Sequence, residues 1–211
     1  MSIPLVVATR NAKKKREILE ILGDLPIELH DLSEFQQAPE VVEDGTTFEA
    51  NARKKASETA KALGQWVLGE DSGLVVPALG GRPGVYSARF AGTPPAPPSQ
   101  GGDRGGVDAA NNARLLAELA PLPDDRRGAY YVCTAALADP KGEVRGVVEG
   151  RCHGVILKEH HGTGGFGYDP LFLIPEWHQT FGELSPRVKH ALSHRARALE
   201  QLRPMLRQLL G

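Results

Sequence analysis

Within its first 32 residues the sequence sets a short β-branched run, Ile3 to Ala8, and a second strand-like segment, Ile27 to Leu32, on either side of a helical pattern from Lys13 to Leu22. The run reads as a buried strand and the segment as a second strand, and Gly23 is a natural stop for the helix between them. The alternation continues. Thr46 or Thr47 caps a helix from Phe48 to about Leu63, ended by Gly64, and a third strand, Trp66 to Leu68, runs directly into Gly69-Glu70-Asp71-Ser72-Gly73. A further helix is expected from about Val107 to Ala120. Tyr130–Ala138 and Val144–Leu157 read as a hairpin turned by Asp139-Pro140-Lys141-Gly142. The end is helical, with Ser193 as its cap and Pro204 expected to kink or restart it. Strands alternating with helices predict an α/β fold with a mixed sheet. Residues 1–211 suffice for one domain or two packed lobes, with a mobile Pro/Gly loop over residues 93–106.

The charge balance narrows the function. A formal net charge of −1 leaves no basic excess to hold nucleic acid through its phosphates, so an anionic ligand needs a local constellation. The first apolar run is too short, and precedes its basic cluster, for a secretion signal; no segment approaches a membrane span. Cys133 and Cys152 stand far apart with no metal-binding spacing, which suits two reduced thiols in the cytosol.

Four segments carry the chemistry. Thr9-Arg10-Asn11-Ala12-Lys13-Lys14 lies at a strand-to-helix junction, where backbone N–H groups and the helix dipole favour an anion and Lys14 adds a point charge. It lacks the glycines of a Walker A loop. Glu70 and Asp71, adjacent after a buried strand, are costly to hold unless something neutralises them. A hard divalent cation, Mg²⁺ or Mn²⁺, would do so. Glu43-Asp44 is the other acidic pair so placed. In Gly162-Thr163-Gly164-Gly165-Phe166-Gly167-Tyr168-Asp169 the glycines let backbone approach a flat ligand, an aromatic ring stacks, and Asp169 accepts from ring N–H groups. Finally, Lys189-His190-Ala191-Leu192-Ser193-His194-Arg195 puts two cations in the first turn of the last helix, where the dipole opposes them unless an anion lies near. Each has an ordinary reading: a capped helix, an Asp-Ser-Gly turn, a Gly-rich hairpin, a solvated helix end. Together they supply a phosphate cradle, a metal carboxylate, a stacking loop and an edge-reading pair.

The same segments, in the same order, resemble the inosine triphosphate pyrophosphatase family, the Ham1-like non-canonical purine triphosphate pyrophosphatases. The matching text is ATRNAKKKRE, DGTTFEANARKKA, GEDSGLVVPALGGRPGVYSARFAG, GTGGFGYDPLF and KHALSHR, nearly the whole chain. The resemblance implies an elongated mixed sheet flanked by helices, two lobes about a cleft, and a homodimer. It implies hydrolysis of ITP, dITP or XTP to the monophosphate and pyrophosphate with Mg²⁺. By resemblance the triphosphate lies against Thr9, Arg10, Asn11, Lys13, Lys14 and Lys55, with Ser72 also touching substrate. Asp71 and Lys14 take the catalytic positions, and Glu43, Glu70 and Asp71 the metal positions. Phe166 stacks on the base, with Gly167 and Tyr168 also among the substrate-binding positions; Asp169 and the His194-Arg195 pair read its edge, and Lys189 completes the pocket.

Some positions depart from that pattern. Arg10 stands where Gly is common, Ala50 where Glu is frequent, Val42 where an acidic residue is, and Glu70 where many bacterial members have Asp. Two other readings follow: a Maf-like pyrophosphatase on other nucleotides, or a nucleotide-binding protein whose metal site has decayed.

Overall fold

The structure is a computed structural model that describes residues 2–92 and 104–210. Its order is β1 (Ile3–Val7), α1 (Ala12–Leu22), β2 (Ile27–Asp31), α2 (Phe48–Leu63), β3 (Trp66–Val75), α3 (Arg104–Leu119), β4 (Gly128–Ala138), β5 (Val144–Ile156), β6 (Phe172–Ile174), β7 (Gln179–Thr180), α4 (Pro186–Leu192) and α5 (His194–Leu210). Seven strands form one open sheet in the order β2-β1-β3-β4-β5-β6-β7. β1 runs parallel to both β2 and β3, while β6 runs antiparallel to β5 and β7, so the sheet is mixed, as expected.

Local chemistry sets most boundaries. Thr47 caps α2 by accepting the Ala50 N–H, and Gly64 ends it at φ 64°, donating to Ala60 O. Gly23 also ends its helix, but in the right-handed region. Ser193 Oγ accepts the Ala196 N–H at 3.1 Å, capping α5. That helix runs through Pro204 without restarting. Of the expected mobile loop, residues 93–103 lie outside the described residues, and 104–106 already belong to α3. The larger correction concerns β3. It continues through Gly69-Glu70-Asp71-Ser72-Gly73 to Val75, so the two carboxylates stand on a strand rather than in a turn after it.

The chain divides into two compact units. The first comprises the residues up to Ser72, Cys133–Arg151 and those from Ser193 on; the second comprises the described parts of Gly73–Val132 together with Cys152–Leu192. In the first unit strand alternation sorts the core by face. Leu5, Val7, Leu68, Ala135 and Leu137 pack with Ile18, Leu22, Leu199 and Leu202 of α1 and α5. Val6, Ala8, Val67, Ala136 and Ala138 turn the other way, onto Ala52, Ala56 and Ala60 of α2. In the second unit Leu74, Val76, Leu115, Leu119, Tyr131, Phe172 and Phe181 form a separate core, with the rings of Tyr131 and Phe172 centred 4.7 Å apart.

Gly69 is what allows α2 to lie so close to β3. A Cβ there would sit 2.5 Å from Ala56 N and closer still to Ala52 O, both backbone atoms that cannot swing aside. Gly69→Ala is therefore expected to destabilise the protein by about 1–3 kcal/mol, read as a lower urea midpoint at unchanged m-value.

Candidate active site

Because β3 continues through the acidic pair, its alternation sends Glu70 and Asp71 to opposite faces. Glu70 follows Leu68 towards α1 and α5. Arg195 grips it with Nε to Oε2 at 2.8 Å and Nη2 to Oε1 at 2.9 Å, and Lys14 Nζ reaches Oε1 at 3.2 Å. Arg195 also bonds Glu17 of α1 and donates to Ser72 Oγ at 3.3 Å. At 1% exposure its guanidinium is fully buried. Burial alone would push the Glu70 carboxyl up, but the charges of Arg195 and Lys14 outweigh it and hold the group well below the usual carboxylate range. The anion that the cationic start of α5 demanded is thus present, as Glu70 and Glu17.

Asp71 follows Val67 and Gly69 towards α2. Asn51 Nδ2 donates to its Oδ2 at 3.0 Å, and Lys55 Nζ to its Oδ1 at 3.2 Å. The same ammonium reaches Glu43 Oε2 at 3.0 Å, so two carboxylates converge on one cation. Burial pushes the Asp71 carboxyl up, and Lys55, Lys14 and Asn51 only partly offset it. Glu43 is more exposed, and Lys55 brings it below its ordinary value against the opposing effect of burial.

At the head of α1, Asn11 is the cap, with Oδ1 accepting from Lys13 N at 3.0 Å and Lys14 N at 3.4 Å; Thr9 Oγ1 accepts from Asn11 N at 3.1 Å. Two first-turn N–H groups expected to await an anion are therefore already bonded to a side chain. Arg10 is exposed and makes one long contact, 3.5 Å to Ala38 O.

The second unit holds the aromatic segment. Asp169 is buried and accepts from Phe166 N at 2.8 Å, Lys189 Nζ at 2.7 Å and Tyr131 OH at 3.4 Å. Lys189 Nζ lies 4.6 Å from the centre of the half-buried Phe166 ring. Gly167 donates to Asp108 Oδ2 at 2.8 Å and accepts from Asn112 Nδ2 at 3.0 Å, and buried Tyr168 bonds Ser87 O at 2.8 Å. Gly165, at φ 75°, needs to be glycine because a Cβ would enter the Asp169 carboxylate.

So Thr9, Arg10, Asn11, Lys13, Lys14, Glu43, Lys55, Glu70, Asp71, Ser72, His194 and Arg195 all belong to the first unit, and Phe166, Gly167, Tyr168, Asp169 and Lys189 to the second. Two roles change. Glu70, expected among the metal ligands, has its oxygens bonded to Arg195 and Lys14. Arg195, expected at the base edge, donates to Glu70, Glu17 and Ser72, while His194 is buried beside it at the start of α5. Among the described residues no group of three or more His, Cys, Asp or Glu side chains is spaced to hold a metal ion. Alternation on β3 explains this, since the two adjacent carboxylates face apart.

These motifs do not stand alone, because the sequence matches the Ham1 family over residues 5–205. The chain belongs to the Ham1 family. It is 54% identical over 206 residues to the dITP/XTP pyrophosphatase of Rhodopirellula baltica, covering 98% of this chain and 94% of that protein. It is 51% identical over 202 residues to that of Geobacter sulfurreducens, with 96% of each covered. Among solved structures it resembles a HAM1 protein from Coxiella burnetii, at TM-score 0.84 and 36% identity, over 98% of this chain and 99% of that one. A nucleoside-triphosphatase, named dITP/XTP pyrophosphatase, from Mycobacterium abscessus matches at TM-score 0.73 and 44% identity, over 96% and 100%.

In this Ham1 family chain the sequence reading missed Glu17, Asn51, Asp108, Asn112 and Tyr131. Glu17 left a trace, since Lys14, Glu17, Ile18 and Ile21 share one helix face and a carboxylate inside an apolar stripe calls for a cation. Asn51 left none; its amide joins Asp71 to the Gly45 N–H only through the fold.

Glu70→Gln removes the charge that balances Arg195. It is expected to cost about 3–5 kcal/mol at neutral pH. Because the folded carboxyl lies below the ordinary 4.5, its contribution is present above that value and disappears as pH falls below it. Urea unfolding between neutral and acidic pH should therefore fall away less steeply for the variant than for the wild type.

Proposed function

We propose that this chain hydrolyses non-canonical purine nucleoside triphosphates (ITP, dITP and XTP) to the monophosphate and pyrophosphate. The observation that carries the reading is Asp71, a buried carboxylate of raised proton affinity, held by Asn51 and Lys55 in a chain of this family. The dITP/XTP pyrophosphatases that this chain is similar to suggest the reaction and the bases.

In this scheme a water attacks the α-phosphorus. A new P–O bond forms, the bond from the α-phosphorus to the bridging oxygen breaks, and pyrophosphate leaves. Asp71 orients the water and takes its proton, a role suited to a carboxyl raised towards the working pH. Lys14 and Lys55 offset charge on the leaving group, and the start of α1, from Thr9 to Lys14, holds phosphate oxygens. Asp71 and Glu43 would hold a divalent cation, Mg²⁺ or Mn²⁺, since their oxygens already converge on the Lys55 ammonium. Bound there, the metal would neutralise phosphate oxygens. Arg195 is reassigned from the base edge to holding Glu70, and Glu70 to holding Lys14.

For the base, Phe166 offers a stacking ring, and Asp169 and Lys189 offer an acceptor and a donor. Hypoxanthine and xanthine present a 6-oxo acceptor where adenine presents an amino donor. Sites built on such pairing discriminate by roughly 10⁴–10⁵. We place the protein in the cytoplasm. Both cysteines are free and buried, and among the described residues no helix is long and apolar enough to cross a membrane. A homodimer is proposed on the family resemblance.

Pyrophosphate release with Mg²⁺ from ITP, XTP, GTP, ATP and UTP, at equal concentrations, tests the reading. Preferential release from ITP and XTP is expected. Preference for a pyrimidine would favour a Maf-like activity, and no release would favour a binding protein. Asp71→Asn should lower turnover by about 10²–10⁴ with the circular dichroism spectrum unchanged; full activity in that variant would sink the assignment.

A further inference from the structure

Phe166 is followed by a residue with no side chain to pack, and Gly167 adopts φ 63°. Packing therefore cannot fix that peptide; hydrogen bonds must. α3 supplies them as a pair, because Asp108 and Asn112 are four residues apart and lie on one helix face. The Asp108 carboxylate accepts the Gly167 N–H at 2.8 Å, and the Asn112 amide donates to the Gly167 carbonyl at 3.0 Å. One helix face thus takes both polar groups of a single glycine.

The pairing is specific in its polarity. A carbonyl oxygen only accepts, so the Asn112 nitrogen must face Gly167. That leaves Asn112 Oδ1, in a side chain only 4% exposed, without a hydrogen-bond partner among the described residues. An amide held in one orientation at the expense of its own acceptor indicates that the Gly167 bond is the one the structure favours. The Asp108 bond carries a charge and is the stronger of the two.

We propose that Asp108 and Asn112 are positioning residues that set the Phe166 ring, and through it the affinity for the base of a purine triphosphate. This rests on the reading under which Phe166 stacks on the base. The Phe166 N–H bonds Asp169 at 2.8 Å and its ring lies under Lys189 Nζ, so a Gly167 released from α3 carries the ring off both partners. Neither Asp108 nor Asn112 touches the reacting phosphates in this scheme. Their loss should therefore weaken base binding and spare the chemical step.

The test compares Asp108→Ala, Asp108→Asn and Asn112→Leu with the wild type. The readouts are kcat and KM for ITP with Mg²⁺, and the inhibition constant of inorganic tripolyphosphate, which has no base. Asp108→Ala is expected to raise KM for ITP about tenfold while kcat stays within about twofold and tripolyphosphate inhibition is unmoved. Asp108→Asn keeps an acceptor for Gly167 and should fall between it and the wild type. Should Asp108→Ala not fold, the other two variants carry the same comparison. An unmoved KM, a loss confined to kcat, or an equal weakening of ITP and tripolyphosphate would overturn the proposal. A wild type that releases no pyrophosphate from ITP would defeat the functional reading itself. An active wild type whose variants keep their KM would defeat the clamp alone.

Discussion

Two neighbouring carboxylates on one buried strand are the constraint on which the first unit is built. Neither Glu70 nor Asp71 can be charged inside a protein without a cation at hand, and a strand turns successive side chains to opposite faces, so the two do not share a hydrogen-bonding partner. Each face therefore brings its own. α1 and α5 deliver Lys14 and Arg195 to Glu70, and α2 delivers Lys55 and Asn51 to Asp71. The positions of three helices against β3 are tied to this need for charge balance as firmly as to the leucines and alanines around them.

The two carboxylates respond differently because their partners differ. Glu70 meets a bidentate guanidinium, a geometry that matches a carboxylate and cannot lose its proton, and it stays ionised despite complete burial. Asp71 shares one ammonium with Glu43 and takes a neutral amide as its other donor, so the cost of burial is only partly met. The strand thus places a firmly charged group next to a group of raised proton affinity. Environment alone separates the two.

Much of this was legible in the sequence. The strands and helices of the first 64 residues declare themselves through apolar runs, a threonine cap and a left-handed glycine, and all fell within a residue or two of the observed ends. The β3 extension was hidden because Gly-Glu-Asp-Ser-Gly has the composition of a turn, and the neighbouring strand β4 that continues the sheet beside it lies far along the chain. The residues discussed as a site can be named from the sequence, but their pairing cannot. That Arg195 would meet Glu70, 125 positions away, is a property of the closed fold and leaves no local signal. Asn51, Asp108 and Asn112 escaped notice for a related reason, since an amide or a carboxylate on a polar helix looks like solvent-facing surface until its partner is known.

The Lys55 ammonium, lodged between Glu43 and Asp71, has a thermodynamic consequence of its own. A cation already sits in the acidic corner, covalently attached and never diluted, so the repulsion between the two carboxylates is offset from within the chain. Any mobile cation arriving there enters by exchange, competing with a tethered rival rather than filling a void. Its apparent affinity is then a difference between two similar attractions, weaker and more sensitive to where the lysine can go than the count of carboxylates would suggest.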